Sequence, residues 1–191
     1  MATILFRYVF PLMISLICTI VTIEYGDYLI YDRELMAAEP YRFLTSQWTH
    51  ATYQHYLINA IGFTLVGYIF YKYVSTIVWL IMIFYTTLAV SIAMFAYDTE
   101  LMYYTGFSGA LYGLLVFSLF RAFPHIPKIC IIAFLFIIIR LYLEQTGLFD
   151  VNINAELLGG EVWVNSHLYG ALSGVIVGGL SLLFGSSSDN Y

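Results

Sequence analysis

Six apolar stretches separated by short polar loops leave this chain few folds to choose from. They run roughly over residues 5–23, 52–71, 75–97, 107–121, 127–146 and 165–184. A helix of about 20 apolar residues crosses a hydrocarbon core of about 30 Å. Only closed hydrogen-bonding structures survive there, because lipid offers the backbone no partner. The composition agrees: 61% of residues are hydrophobic and 10% charged, where a soluble domain carries about a quarter charged. The expected fold is an all-α polytopic membrane protein, a six-transmembrane-helix bundle with a short central fourth helix. It forms a single domain over 1–191, with residues 185–191 a disordered tail. The first stretch is kept as a helix, since Val21-Thr22-Ile23-Glu24 is no small-residue cleavage site. Pro11 is expected to kink it.

Charge excludes some functions and orients the chain. A net charge of −5 argues against nucleic acid, which demands basic surface. Arg7 precedes the first stretch, Lys72 lies between the second and third, and Arg121 and Lys128 lie between the fourth and fifth. The intervening loops hold Arg33 and Arg42 among acids, then Asp98 and Glu100, then Asp150, Glu156 and Glu161. The positive-inside rule therefore places both termini in the cytoplasm. Cys18 and Cys130 lie in apolar segments and read as small core residues.

With that topology, the second, fourth and sixth stretches all start at the outer face. Near those starts stand His55 with Asn59, then Ser108, then His167. The fourth stretch spans only ~22 Å at 1.5 Å per residue, so its start is sunk below the interface and must line a wet cavity. Ser108 sits in Gly106-Phe107-Ser108-Gly109. It opens a helix, where unpaired N–H groups and the helix dipole favour negative charge. A serine hydroxyl becomes a useful nucleophile when an imidazole takes its proton, and His167 is the candidate. Gly109 and Gly113 on one helix, and Gly170, Gly174 and Gly178 on the other, allow the close backbone approach such a pair needs. Simple glycine-mediated packing is the alternative. His55 and Asn59, four apart, share a helical face and offer two donors to an oxyanion; polar glue between helices is the alternative there. His50 and His55 diverge on a helix and no HExxH is present, so no metal is expected. Arg140 and Glu144, one helical turn apart, are expected to pair with each other. Together these residues suggest hydrolysis of a peptide bond within the membrane by a serine–histidine dyad. A transporter has less support, since the chain lacks an inverted repeat.

Three motifs make the chain resemble the rhomboid family of intramembrane serine proteases. They are His50-x4-His55-x3-Asn59, Gly106-Phe107-Ser108-Gly109 with Tyr112 beyond it, and Ser166-His167-x2-Gly170-x3-Gly174. The third departs from the family's Ala-His, and Tyr41-Arg42 replaces its Trp-Arg pair. The resemblance implies a Ser108–His167 dyad with no third acid and no cofactor. It implies an oxyanion hole of the Ser108 N–H, His55 and Asn59, and a Tyr112 ring packed on His167. Segment five and the loop around Leu157-Leu158-Gly159-Gly160 would gate the site, and the loop 24–49 would lie partly in the outer leaflet. It further implies a bacterial inner membrane protein whose site opens to the periplasm, acting on single-span membrane proteins in the lipid bilayer. Asn59-Ala60-Ile61-Gly62, Leu141-Tyr142-Leu143-Glu144-Gln145 and His167-Leu168-Tyr169-Gly170 look like the rhombosortase branch, thought to cleave a C-terminal Gly-Gly-type sorting tail. A non-catalytic rhomboid-like binder of membrane helices remains the alternative.

Overall fold

A computed structural model of the protein describes residues 2–150 and 155–184; the expected tail at 185–191 lies outside them. Six helices of 15 residues or more occur among the described residues, close to the six apolar stretches. They are α1 (Leu5–Tyr25), α2 (Tyr53–Ile69), α3 (Thr76–Tyr97), α4 (Ser108–Ala122), α5 (Pro127–Gln145) and α6 (Val164–Phe184). Local chemistry sets several starts. Thr52 caps α2 by accepting from the His55 N–H, and Ser75 caps α3 by accepting from the Val78 N–H. Pro127 occupies the first turn of α5, where a missing N–H costs nothing. In α1 the expected kink takes another form. Leu5–Val9 is a π-turn, with Phe10 N–H bonded to the Leu5 carbonyl, which widens the turn just ahead of Pro11.

By length and apolar composition, two of the six helices qualify as membrane-crossing: Leu5–Tyr25 and Thr76–Tyr97. Three of the others fall short for visible reasons. Helices α2 and α4 have 17 and 15 residues, and α5 carries Lys128, Arg140 and Glu144.

Helix α4 is the hub. Its Ala110, Leu114, Val116, Phe117 and Leu119 are all buried, among Phe63, Trp79, Met82, Cys130 and Ile137 of its neighbours. Apolar side chains elsewhere face outward, Ile77, Ile132 and Phe136 each by more than two thirds (73%, 68% and 69% exposed). That is the inverted pattern of a protein solvated by lipid. A short antiparallel ribbon, β1 (Tyr31–Asp32) and β2 (Tyr103–Tyr104), pairs Tyr31 with Tyr104 and Asp32 with Tyr103. It ties the long first loop to the segment leading into α4.

Arg7 corrects one reading. It lies within α1, not ahead of it, and is buried. Its Nη1 donates to the Val74 carbonyl at 2.6 Å and its Nη2 to the Gly67 carbonyl at 3.2 Å. The guanidinium also stands 4.9 Å over the Trp79 ring. This cation is committed to the last turn of α2, where carbonyls lack helical partners, and to the turn that follows it.

Loop 24–49 is organised by another buried cation. Arg42 donates to the carbonyls of Asp27 and Ile30, each at 2.9 Å, and to Glu39 at 2.7 Å. Tyr41, at the position where the family has Trp, bonds Glu39 at 2.7 Å through its hydroxyl.

Candidate active site

The chain reaches Ser108 through a turn that only glycine suits. Gly106 has φ +127°, and a Cβ there would stand 2.8 Å from the His55 ring. The Tyr104 hydroxyl donates to the Gly106 carbonyl at 3.0 Å, fixing the turn from the ribbon side. Ser108 is the first residue of α4, and Phe107 provides no side-chain cap. The N–H groups of that first turn therefore have no partner within the helix, and the helix dipole favours negative charge there.

Helix α6 brings His167 to the serine. Backbone meets backbone along the seam between α4 and α6: a Cβ on Gly170 would overlap the Gly109 carbonyl, and one on Gly174 would lie 2.5 Å from the Gly113 carbonyl. Glycines are what permit that spacing. His167 Nε2 lies 2.9 Å from Ser108 Oγ. The Tyr112 ring stacks on the imidazole, with centroids 4.6 Å apart and planes 23° from parallel.

A residue read only as half of a local ion pair completes the line. Glu144 Oε2 lies 2.9 Å from His167 Nδ1, and Glu144 Oε1 lies 2.7 Å from Arg140 Nε. The Arg140 pairing was expected; the reach to His167 was not. It corrects the expectation of a histidine with no acid behind it. The sequence held a signal: an ionisable residue in an apolar run is costly and invites a functional reading.

Helix α2 brings two more of the expected residues to the same cavity. Asn59 is buried and its Nδ2 donates to the His55 carbonyl at 3.1 Å, within its own helix. An amide nitrogen carries two N–H groups, so one donor is left over. His55 Nδ1 is buried without a partner. His50 stands behind, not in the cavity lining. Thr19 Oγ1 lies 3.0 Å from its Nδ1, and its ring meets His55 edge to face at 4.9 Å. Burial pushes its pKa down to about 3, with the nearby His55 a smaller cause. Among the described residues, no three His, Cys, Asp or Glu side chains converge to hold a metal.

The cavity encloses about 410 Å³ and is lined by His55, Asn59, Ser108, Tyr112, Glu144 and His167 among others. Its rim includes Leu158, Gly159 and Gly160, the loop expected to cap the site. Thr52 Oγ1 donates to the Leu157 carbonyl at 2.8 Å, holding that loop over the start of α2. The N-terminal end of α6 is fixed by Asp98, a loop charge in the sequence. Its buried carboxylate accepts from Trp163 Nε1, and from Asn165 Nδ2 and the Tyr169 hydroxyl at 2.8 Å each.

Comparison with known families gives one result that bears on this geometry. The family model described as Rhomboid domain matches residues 37–184, which span all the residues that line the cavity. No curated protein matches the chain.

Proposed function

Given that the chain belongs to the rhomboid family of intramembrane serine proteases, we propose that it cleaves a peptide bond in or next to a substrate's transmembrane helix, with Ser108 as nucleophile and His167 as general base. The 2.9 Å contact between His167 Nε2 and Ser108 Oγ carries this reading. Ser108 Oγ bonds to the scissile carbonyl carbon while its proton passes to Nε2. The oxyanion is met by the Ser108 N–H, His55 and Asn59, whose donors exist before the charge develops. The C–N bond then breaks, and Nε2 returns the proton to the leaving amine. Water repeats the cycle on the acyl-enzyme, with His167 again as base. Tyr112 holds the imidazole plane, and Gly106, Gly109 and Gly170 set the approach of the two helices.

In this reading the chain is one membrane domain of six spans, with its termini in the cytoplasm and the cavity opening outward. The short α4 leaves Ser108 below the interface. The substrate is a single-span protein whose helix unwinds near the outer face, with a C-terminal Gly-Gly-type sorting tail favoured by the three short sequence stretches noted above. Unwinding is required, because helical peptide bonds are shielded by their own hydrogen bonds.

Co-expression with reporter proteins tests this. One reporter ends in a Gly-Gly motif, an apolar helix and basic residues; another carries an unrelated single span. The tailed reporter is cleaved by the wild type and left intact by Ser108→Ala and His167→Ala. Cleavage of only the unrelated span would move the substrate to general rhomboid type. Cleavage that persists in either variant would defeat the dyad.

A further inference from the structure

We infer that Glu144 is the third member of the hydrolytic set, a positioning residue that fixes the His167 tautomer and stabilises its protonated form. The inference rests on the Ser108–His167 reading and adds a carboxylate to it. Helix α5 buries three side chains along its length, Cys130, Ile137 and Glu144. They recur every seven residues and form a single stripe. Two are apolar; the third is a carboxylate whose side chain is fully buried (0% exposed). Taking a carboxylate out of water is costly unless partners compensate it. Arg140 alone does not account for the burial. An i,i+4 pair of this kind forms equally well on an exposed face, and the Arg140 side chain is itself 28% exposed. What draws Glu144 inward is His167.

The hydrogen-bond chemistry then has one solution. A carboxylate only accepts, so Nδ1 of His167 donates to Oε2. In the neutral imidazole the other nitrogen, Nε2, is left with a free lone pair, and that lone pair faces Ser108 Oγ. This is the tautomer that can take the serine proton. When it does, the new positive charge forms 2.9 Å from a fixed negative one. Arg140, on the opposite oxygen, moderates the pull, so the imidazolium can still give its proton up. The other groups lining the cavity are Ser108 and Tyr112 from α4, His55 from α2, Tyr104 from β2 and the exposed Glu161 of the loop before α6, while Nδ1 itself is bonded to Glu144. None of these replaces a negative charge at Nδ1.

The test measures the rate at which a fluorophosphonate labels Ser108 in the purified full chain in detergent, across pH. In that reaction Ser108 Oγ bonds to phosphorus, the P–F bond breaks, fluoride leaves and His167 takes the proton. No natural substrate is needed. Glu144→Gln keeps the shape and removes the charge. Labelling is expected to fall by about 10⁴-fold, the loss seen when the third residue of a serine triad is neutralised. The acid limb of its pH profile should move at least one unit lower, since the imidazolium loses its counter-charge. Arg140→Met leaves Glu144 in place, and its acid limb should move the other way. A packing role for Glu144 would not produce opposite shifts. The inference is overturned if Glu144→Gln labels within threefold of wild type, or if neither variant moves the limb while both remain folded by thermal unfolding. If wild-type Ser108 does not label, the underlying dyad fails and this inference falls with it. A labelled wild type with an indifferent Glu144 defeats the inference alone.

Discussion

Helices α5 and α6 both contribute to the site beside α4, and they are attached in opposite ways. Along α6 the contact is backbone on backbone, where Gly109, Gly113, Gly170 and Gly174 leave no room for a Cβ. Along α5 the contact is made by a few side chains, while Ile132, Phe136 and Ile139 face outward. A glycine seam has no rotamers to adjust, so the distance between Ser108 and His167 is set by the main chain. Glu144 reaches the same point at the end of a side chain, from a helix turned mostly toward lipid. Ser108 and His167 are therefore built into the closely packed part, and the Glu144 carboxylate is delivered from the loosely held part.

The seam is where a single methyl should do most harm. Gly170→Ala places a Cβ on the Gly109 carbonyl, and neither backbone can rotate away. Cleavage of a single-span reporter should fall at least 10²-fold, the scale of a 1 Å misplacement at a reacting pair. Thermal unfolding should also occur earlier. Gly179→Ala, where a Cβ meets nothing within 4 Å, should leave both unchanged. Equal tolerance at the two glycines would break the comparison.

Helix α2 resembles α5 in reaching the site through side chains. Asn59→Ala should reduce kcat by roughly 10²-fold and leave KM near wild type, the cost of one oxyanion donor. A change under twofold would take Asn59 out of the hole.

His50 sharpens the contrast by acting on stability without lining the cavity. Its folded pKa of about 3 lies below the ordinary 6.5. Between those values the unfolded chain holds more protons, so stability is full above about pH 6.5 and declines as pH falls toward 3. The slope is at most about 1.4 kcal/mol per pH unit. Denaturation in detergent should follow it, and His50→Asn should flatten the dependence. A wild type equally stable at pH 4 and 7 would contradict the neutral, buried state.

The smallest effect belongs to the outward face of α5. Ile132→Ala should alter reporter cleavage less than twofold, because that side chain meets lipid and not the site. A tenfold loss would mean that α5 is held more firmly than its packing implies.

The same contrast explains what could be read before any coordinates. Helix positions followed from apolar periods, so 75–97 lies within a residue of Thr76–Tyr97. The meeting of Ser108, His167, His55 and Asn59 around one cavity followed from which segments start at the same face. Three features did not follow. Glu144 had a sufficient local explanation in Arg140, and only the rotation of α5 shows which way its carboxylate turns. Asp98 receives Trp163, Asn165 and Tyr169 across more than 60 residues of chain (separations of 65, 67 and 71), a distance no periodicity reports. Arg7 looked like a flanking charge because a π-turn carries the helix past it. Polar side chains buried by long-range partners leave little trace in a pattern that registers local period and composition.

The most direct test treats the full-length protein with an isocoumarin serine probe and maps the adduct by mass spectrometry in wild type, Ser108→Ala and His167→Ala. A single adduct on Ser108 in the wild type, and none in either variant, is what two helices locked by glycine should give. Adduct formation at the wild-type rate without the histidine, or an inert Ser108 in folded protein, would contradict it.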